Sequence, residues 1–222
     1  MKKSVILSNK KWITENYAQR DDLLQIGESE FFYDFLAGID PEYIFLPHYS
    51  SKVPDSIYKN FKTVGFHMTD LPFGRGGNPL QNLIVRGFQE TQISAFQVEG
   101  EMDSGGVYMK CPLSLDGTAE DILYRCSEII CTQMIPFIME NHPTPVPQKG
   151  PIVCFSRRRI EDNNIGLLHK LSNVYNYIRM LDCPGYPHAF IEADRLKVEF
   201  TEAEILDGAV YARAKITKVG NG

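Results

Sequence analysis

The 222-residue chain reads as an α/β protein built on a parallel sheet, with a small α+β unit after it. Two patterns predict this. Short apolar runs at Val5-Ile6-Leu7, Tyr43–Leu46 and 63–67 alternate with helical segments, as when helices return the chain to successive parallel strands. Prolines at 143, 145, 147 and 151 then mark a stiff extended stretch, beyond which one helix and hairpin-forming runs follow. Residues 1–142 are expected to form the main domain, 143–151 a Pro-rich linker and 152–222 a small C-terminal domain.

Val5-Ile6-Leu7 opens the sheet, with Met1-Lys2-Lys3 leading into a strand ending at Ser8. No glycine-rich dinucleotide fingerprint follows it. Residues 9–30 are polar and mixed, with at best a short strand or turn at 21–26. A helix is expected at Glu30–Gly38, with Phe31, Phe32 and Phe35 on its core face, and Asp40-Pro41 ends it. Tyr43–Leu46 is the next strand, Pro54–Asn60 a short helix opening at proline, and 63–67 the strand that delivers His67. The runs 91–98 and 106–113 suggest a hairpin whose loop carries Asp103. Helix 119–140 is capped by Thr118 with Asp121 and has an apolar stripe at Ile122, Cys126, Ile129, Ile130 and Ile138. Beyond the linker come a strand at Ile152–Phe155, a helix at 164–181 and extended runs at 189–201 and 208–217.

Composition narrows the functional classes. A formal charge of -5 disfavours a general nucleic-acid binder, because neutralising phosphates requires a basic surface. Only Arg157-Arg158-Arg159 is densely basic, and it fits a solvated or carboxylate-paired face, a pyrophosphate site or a subunit contact. Five cysteines, odd in number and without a C-x-x-C pair, argue against a disulfide framework or a zinc site. No apolar run approaches the roughly 20 residues that span a bilayer, and no signal-peptide core follows the N-terminus, so a cytoplasmic protein without a membrane partner is expected.

The chemistry concentrates in Gly65–Pro79, where one histidine ends a strand before a glycine-rich turn, with Asn78 as N-cap and Pro79 as first residue of a helix that stops at Gly87. Glycines at 74, 76 and 77 let backbone approach a ligand closely. Asp70 and Arg75 can pair within this loop or contact a substrate. Asp103, in Asp-Ser-Gly, suits either a hairpin turn or a site carboxylate. His48 and Tyr49 either border a ligand or simply pack.

The stretch resembles the core motif of folate-dependent N-formyltransferases, which runs Asn-x-His, x-Ser-Leu-Leu-Pro, Arg-Gly and a Pro-initiated helix. His67 falls on that family's catalytic histidine, Leu71-Pro72 on its Leu-Pro, Arg75-Gly76 on its Arg-Gly and Pro79 on its helix-starting proline. Glu101–Tyr108 resembles its Leu-Asp-x-Gly-x-Ile/Val block, which gives Asp103 the place of the catalytic aspartate. Pro41–Pro54 is similar to the strand and loop that hold the pterin. Arg157-Arg158, 178–181 and 185–190 resemble the linker and small C-terminal domain of methionyl-tRNA and sugar enzymes.

The resemblance implies a Rossmann-like formyltransferase sheet truncated in its N-terminal half, with N10-formyltetrahydrofolate as co-substrate and no metal. It implies His67 and Asp103 as catalytic residues, with the aspartate orienting the imidazole while the acceptor amine loses a proton and an oxyanion forms. Ser50, Ser51, Lys52, Val53, Val98 and Gly100 are assigned to the folate, and Thr69, Asp70, Arg75, Gly76 and Asn78 to the acceptor. Pro47-His48-Tyr49-Ser50 with Met68-Thr69-Asp70 resembles short bacterial enzymes that formylate a nucleotide-linked amino-deoxysugar. A nucleotide sugar is therefore the expected partner, tRNA is disfavoured by charge, and the C-terminal hairpin edge could support a homodimer. Methionyl-tRNA formylation and a degenerate, folate- or nucleotide-binding homologue are the alternatives. The family's asparagine two residues before the histidine is Gly65 here. Thr69, Asn78, Asn82 and the N–H groups of 74–77 are the candidates to replace its amide.

Overall fold

Strands in a parallel sheet are covered on both faces and are apolar throughout. In the computed structural model, which describes residues 3–7 and 20–218, β1 (Ser4–Leu7) has this character, with Val5, Ile6 and Leu7 at most 2% exposed. Ser8 and residues 9–19 of the polar stretch lie outside the described residues.

The chain forms two compact units, the first comprising Met1–Gly76, Thr91–Leu113 and Leu123–Phe155. Its strands are β1, β2 (Leu23–Ile26), β3 (Ile44–Leu46), β4 (Thr63–His67), β5 (Phe73–Gly76), β6 (Glu90–Gln97), β7 (Val107–Ser114) and β8 (Val153–Phe155). Six of them make one sheet in the order β2-β1-β3-β4-β6-β7. β2, β1, β3 and β4 run parallel, and β6 pairs antiparallel with β4 from Val64↔Gln97 to His67↔Ser94. β2 is one of the two edge strands, and its central Leu24 and Gln25 are exposed.

The first helix starts later than its sequence suggests. Glu30 Oε2 accepts the Gly27 N–H at 2.9 Å and closes a 3₁₀ turn at Glu28–Glu30, so α1 spans Tyr33–Ile39. Phe32 becomes its extended N-cap and leaves the apolar stripe, 51% exposed. Phe31 and Leu36 are the buried anchors, with Phe35 packed beside them. Helix α2 (Asp55–Tyr58) is entered from Pro54.

Three further expectations are corrected. The glycine-rich run is the strand β5, paired parallel with β8, because Gly76 at φ 108° leaves room where a Cβ would lie 2.5 Å from the Phe155 carbonyl oxygen. The proline-rich stretch is docked, since Val107 and Val146 exchange backbone hydrogen bonds of 2.8 and 2.9 Å, and β8 belongs to the first unit. The helix expected at 119–140 is α4 (Ala119–Ile129) and α5 (Ile135–Asn141), joined by a π turn at Ile130–Met134. Pro136 offers no N–H to the preceding turn, and a widened turn accommodates that loss. The helical stretch Ala119–Asn141 is long enough to cross a membrane and contains an 18-residue window apolar enough to do so, with a mean hydropathy of 1.2. Its apolar residues Ile122, Leu123, Cys126, Ile130, Met134, Ile135 and Ile138 are nevertheless at most 1% exposed, as in the core helix of a packed domain.

The second unit comprises Gly77–Glu90, Ser114–Ile122 and Ser156–Gly222, so its boundaries are not the single linear cut the prolines suggest. It holds α3 (Pro79–Val85), α6 (Leu171–Arg179) and a three-stranded antiparallel sheet of β9 (Ala189–Ala193), β10 (Leu196–Leu206) and β11 (Ala209–Lys218). α6 is half the expected length because Asn164 bridges to Phe190 and the Ile165 N–H bonds the Phe190 carbonyl at 2.9 Å, which draws those residues toward β9. The run 189–201 splits at Asp194, φ 54°, into β9 and the start of β10. Buried Arg179 binds the Leu115 and Gly117 carbonyls at 2.6 and 2.9 Å, and Thr118 with Asp121 forms the expected reciprocal cap.

Candidate active site

His67 is the last residue of β4 and is 7% exposed. Its Nε2 lies 2.8 Å from the Gly74 carbonyl oxygen, which can only accept, so Nε2 carries a proton and donates. In the neutral ring Nδ1 then holds the lone pair, and it faces Asp103 Oδ2 at 3.6 Å. A proton arriving at Nδ1 turns that contact into a charge pair. Asp103 Oδ2 also accepts the Gly76 N–H at 2.9 Å. The first unit thus brings together both expected catalytic residues and the glycine after Arg75.

The segment after His67 is pinned by a residue the sequence reading missed. Ser94, 0% exposed, donates to the Thr69 carbonyl at 2.7 Å and accepts the Leu71 N–H at 3.3 Å. A serine inside the apolar run Ile93–Phe96 was the available signal. Thr69, expected to touch substrate, is fully buried with its Oγ1 unpartnered, and its methyl group crowds Gly74. Enclosure removes it from the ligand surface.

Asp70 and Arg75 do not pair. Lys110 Nζ holds Asp70 Oδ1 and donates to the Leu71 carbonyl, while Arg75 binds Gln148 Oε1 through Nε at 3.1 Å and Nη2 at 2.7 Å. Lys110 and Gln148 were also missed: one is a lone cation on an otherwise ordinary strand, the other a single amide among prolines. In the second unit, Asn78 takes φ 50° and makes no side-chain cap, and its Oδ1 instead accepts the Arg158 N–H at 2.9 Å. Asn82 Nδ2 is spent on the carbonyls of Gly77, Asn78 and Ser156, each at 3.1 Å.

Gly65 is closed to any side chain. A Cβ there would fall 2.6 Å from Phe96 Cζ, and Phe96, its register partner on β6, is 6% exposed. An aromatic ring therefore fills the space an asparagine would need. Asn82, one of the candidate replacements for its amide, is committed elsewhere, and so is the Gly76 N–H, while the buried Thr69 Oγ1 has no hydrogen-bond partner.

Around the assigned folate residues, Ser50, Ser51 and Lys52 are exposed, whereas Val53 is 9% exposed and packs in one apolar cluster with Val98, Tyr49 and Tyr58. Gly100 lies where a Cβ would sit 3.4 Å from the Tyr58 hydroxyl. The two distant stretches are therefore neighbours. His48 is a tether: Ser127 donates to the Leu123 carbonyl at 2.7 Å, so it accepts from His48 Nε2 at 2.9 Å. Among the described residues no group of three or more His, Cys, Asp or Glu is placed to hold a metal.

Residues 160–217 match the family model for the C-terminal domain of methionyl-tRNA formyltransferase. A methionyl-tRNA formyltransferase from Mesoplasma florum is 26% identical over 189 residues, covering 82% of this chain and 60% of its own length. The chain therefore spans about three fifths of that curated relative. The structure titled methionyl-tRNA formyltransferase from Clostridium thermocellum is 40% identical, with a TM-score of 0.94 over 98% of this chain and 100% of its own. WlaRD, a sugar 3N-formyltransferase crystallised with dTDP and 5-N-formyl-THF, shares the fold at a TM-score of 0.53 and 17% identity over 96% of this chain and 98% of its own. The chain shares with these an α/β sheet, one strand of which ends here in a histidine facing an aspartate. The chain belongs to the formyltransferase family of folate-dependent enzymes.

Proposed function

We propose that this protein transfers a formyl group from N10-formyltetrahydrofolate to the primary amine of a nucleotide-linked amino-deoxysugar, in the cytoplasm. The observation that carries the reading is the pair of buried His67 Nδ1 and half-buried Asp103 Oδ2, 3.6 Å apart, with Nε2 committed to a backbone carbonyl. Such a pair accepts a proton at Nδ1 and offsets the imidazolium charge, which is the service an amine needs as it attacks an acyl carbon. The folate supplies the formyl group. Val53, Val98, Tyr49 and Tyr58 offer an apolar surface suited to a flat pterin, and the exposed Ser50, Ser51 and Lys52 lead directly into it. The Gly76 N–H holds the same carboxylate, and Asp70 and Arg75 remain assigned to the acceptor.

Charge favours the small acceptor. Residues 156–222 carry ten Lys or Arg against nine Asp or Glu, and the whole chain is at -5, a poor match to a tRNA acceptor stem. Methionyl-tRNA is the second reading, favoured by the family match at 160–217 and the 40% identical relative. Tetrahydrofolate release measured with amino-sugar nucleotides and with charged initiator tRNA separates them. Turnover that needs an amino-sugar nucleotide supports the first reading, and turnover only with the tRNA selects the second. Folate binding without turnover on either would leave a degenerate homologue, the outcome Gly65 keeps open.

A further inference from the structure

Gln148 uses its entire hydrogen-bonding capacity inside the first unit. Its Oε1 accepts from Arg75 Nε at 3.1 Å and Nη2 at 2.7 Å, and its Nε2 donates to the carbonyls of Asp103 and Gly105, both at 2.8 Å. A carboxamide has two acceptor sites and two hydrogens, so nothing is left over for a ligand. The loop it grips is strained. Asp103 holds φ 53°, and Gly105 sits where a Cβ would lie 1.8 Å from the Gln97 carbonyl oxygen. Such conformations persist where surrounding contacts over-determine them.

The contacts close a ring. Arg75 is followed by Gly76, whose N–H holds Asp103 Oδ2 at 2.9 Å, so β5 grips the carboxylate directly and the same residue's backbone through Gln148. Gln148 is itself fixed by the Val107–Val146 backbone pair two residues before it. We infer that Gln148 is a positioning residue, which holds the Asp103 loop at the height that presents its carboxylate to His67 Nδ1. The inference rests on the reading that Asp103 serves His67 in formyl transfer.

Gln148→Glu tests it, because a carboxylate keeps the size and the Arg75 partner but cannot donate to the two carbonyls. Hydrogen exchange at the Gly76 amide reports the grip without requiring activity, and should accelerate on the order of tenfold or more while Phe45 and Val64 amides stay protected. In parallel kcat should fall on the order of tenfold or more, with KM for the folate within about twofold, as expected for a misplaced catalytic group. Gln148→Ala should move both readouts in the same direction, and serves if the charged variant fails to fold. Unchanged Gly76 exchange in a folded variant overturns the inference, as does a KM effect without loss of kcat, or faster exchange with full kcat. Faster Gly76 exchange in a protein whose wild type transfers no formyl group would uphold the grip and remove the functional reading instead.

Discussion

Which nitrogen of His67 handles a proton is decided by the Gly74 carbonyl, since an oxygen that can only accept takes the Nε2 hydrogen and leaves Nδ1 to face Asp103. Replacing either member removes the proton acceptor or its counter-charge. His67→Asn and Asp103→Ala should each lower kcat by about 10² or more in a tetrahydrofolate-release assay, and retention within a few-fold would dissociate the pair from catalysis. Gly65 makes a separate prediction. Asparagine there must displace the Phe96 ring from a position 2.6 Å away, so Gly65→Asn should destabilise by about 1–3 kcal/mol in denaturant unfolding, as overpacked cores do. Shortening the ring in Gly65→Asn/Phe96→Ala should return part of that loss relative to Phe96→Ala alone, and no coupling between the two would show that the ring is not the obstacle.

Among the elements, β10 of the second unit carries a pH response of its own. The Lys197 hydrogen bond to Glu199, opposed by desolvation and reinforced by the charges of Lys197 and Lys215, holds the Glu199 carboxyl below its usual value of 4.5. A depressed carboxyl stabilises the fold fully above its unfolded value, and that contribution is lost as pH falls through the folded value. Melting temperature should therefore drop on acidification below about pH 4.5 more steeply in the wild type than in Glu199→Gln, and equal slopes would refute the assignment. The stretch 143–151 shows how an element's role escapes its composition. Its prolines predict a stiff extended linker, yet Val146 and Gln148 dock that backbone on Val107 and the Asp103 loop.

At the level of the whole molecule, the five cysteines record the packing. Cys126 is 0% exposed and its thiol is pushed well above the ordinary range by burial, Cys131 is raised to about 11 by the same desolvation, and Cys154 is exposed on β8. Only a thiolate attacks an alkylating reagent. Mass spectrometry after brief native labelling should find Cys154 modified first, with Cys126 and Cys183 on the order of 10²-fold slower until the protein unfolds; early modification of Cys126 would contradict the packing of α4.

The strands β1, β3 and β4 and the start of α4 were legible in the residues themselves, because Val5–Leu7, Ile44–Leu46 and Thr63–His67 are runs only a covered sheet can hide and Thr118-x-x-Asp121 caps a helix locally. The pairing of His67 with Asp103 was legible only through the resemblance to the formyltransferase motif. Phe96 over Gly65, Ser94 beneath the Thr69–Leu71 loop, and Gln148 between Arg75 and Asp103 join residues distant in sequence through single contacts. Local pattern carries no information on such contacts. They exist only once the sheet register and the docked proline stretch have brought those side chains within hydrogen-bonding reach.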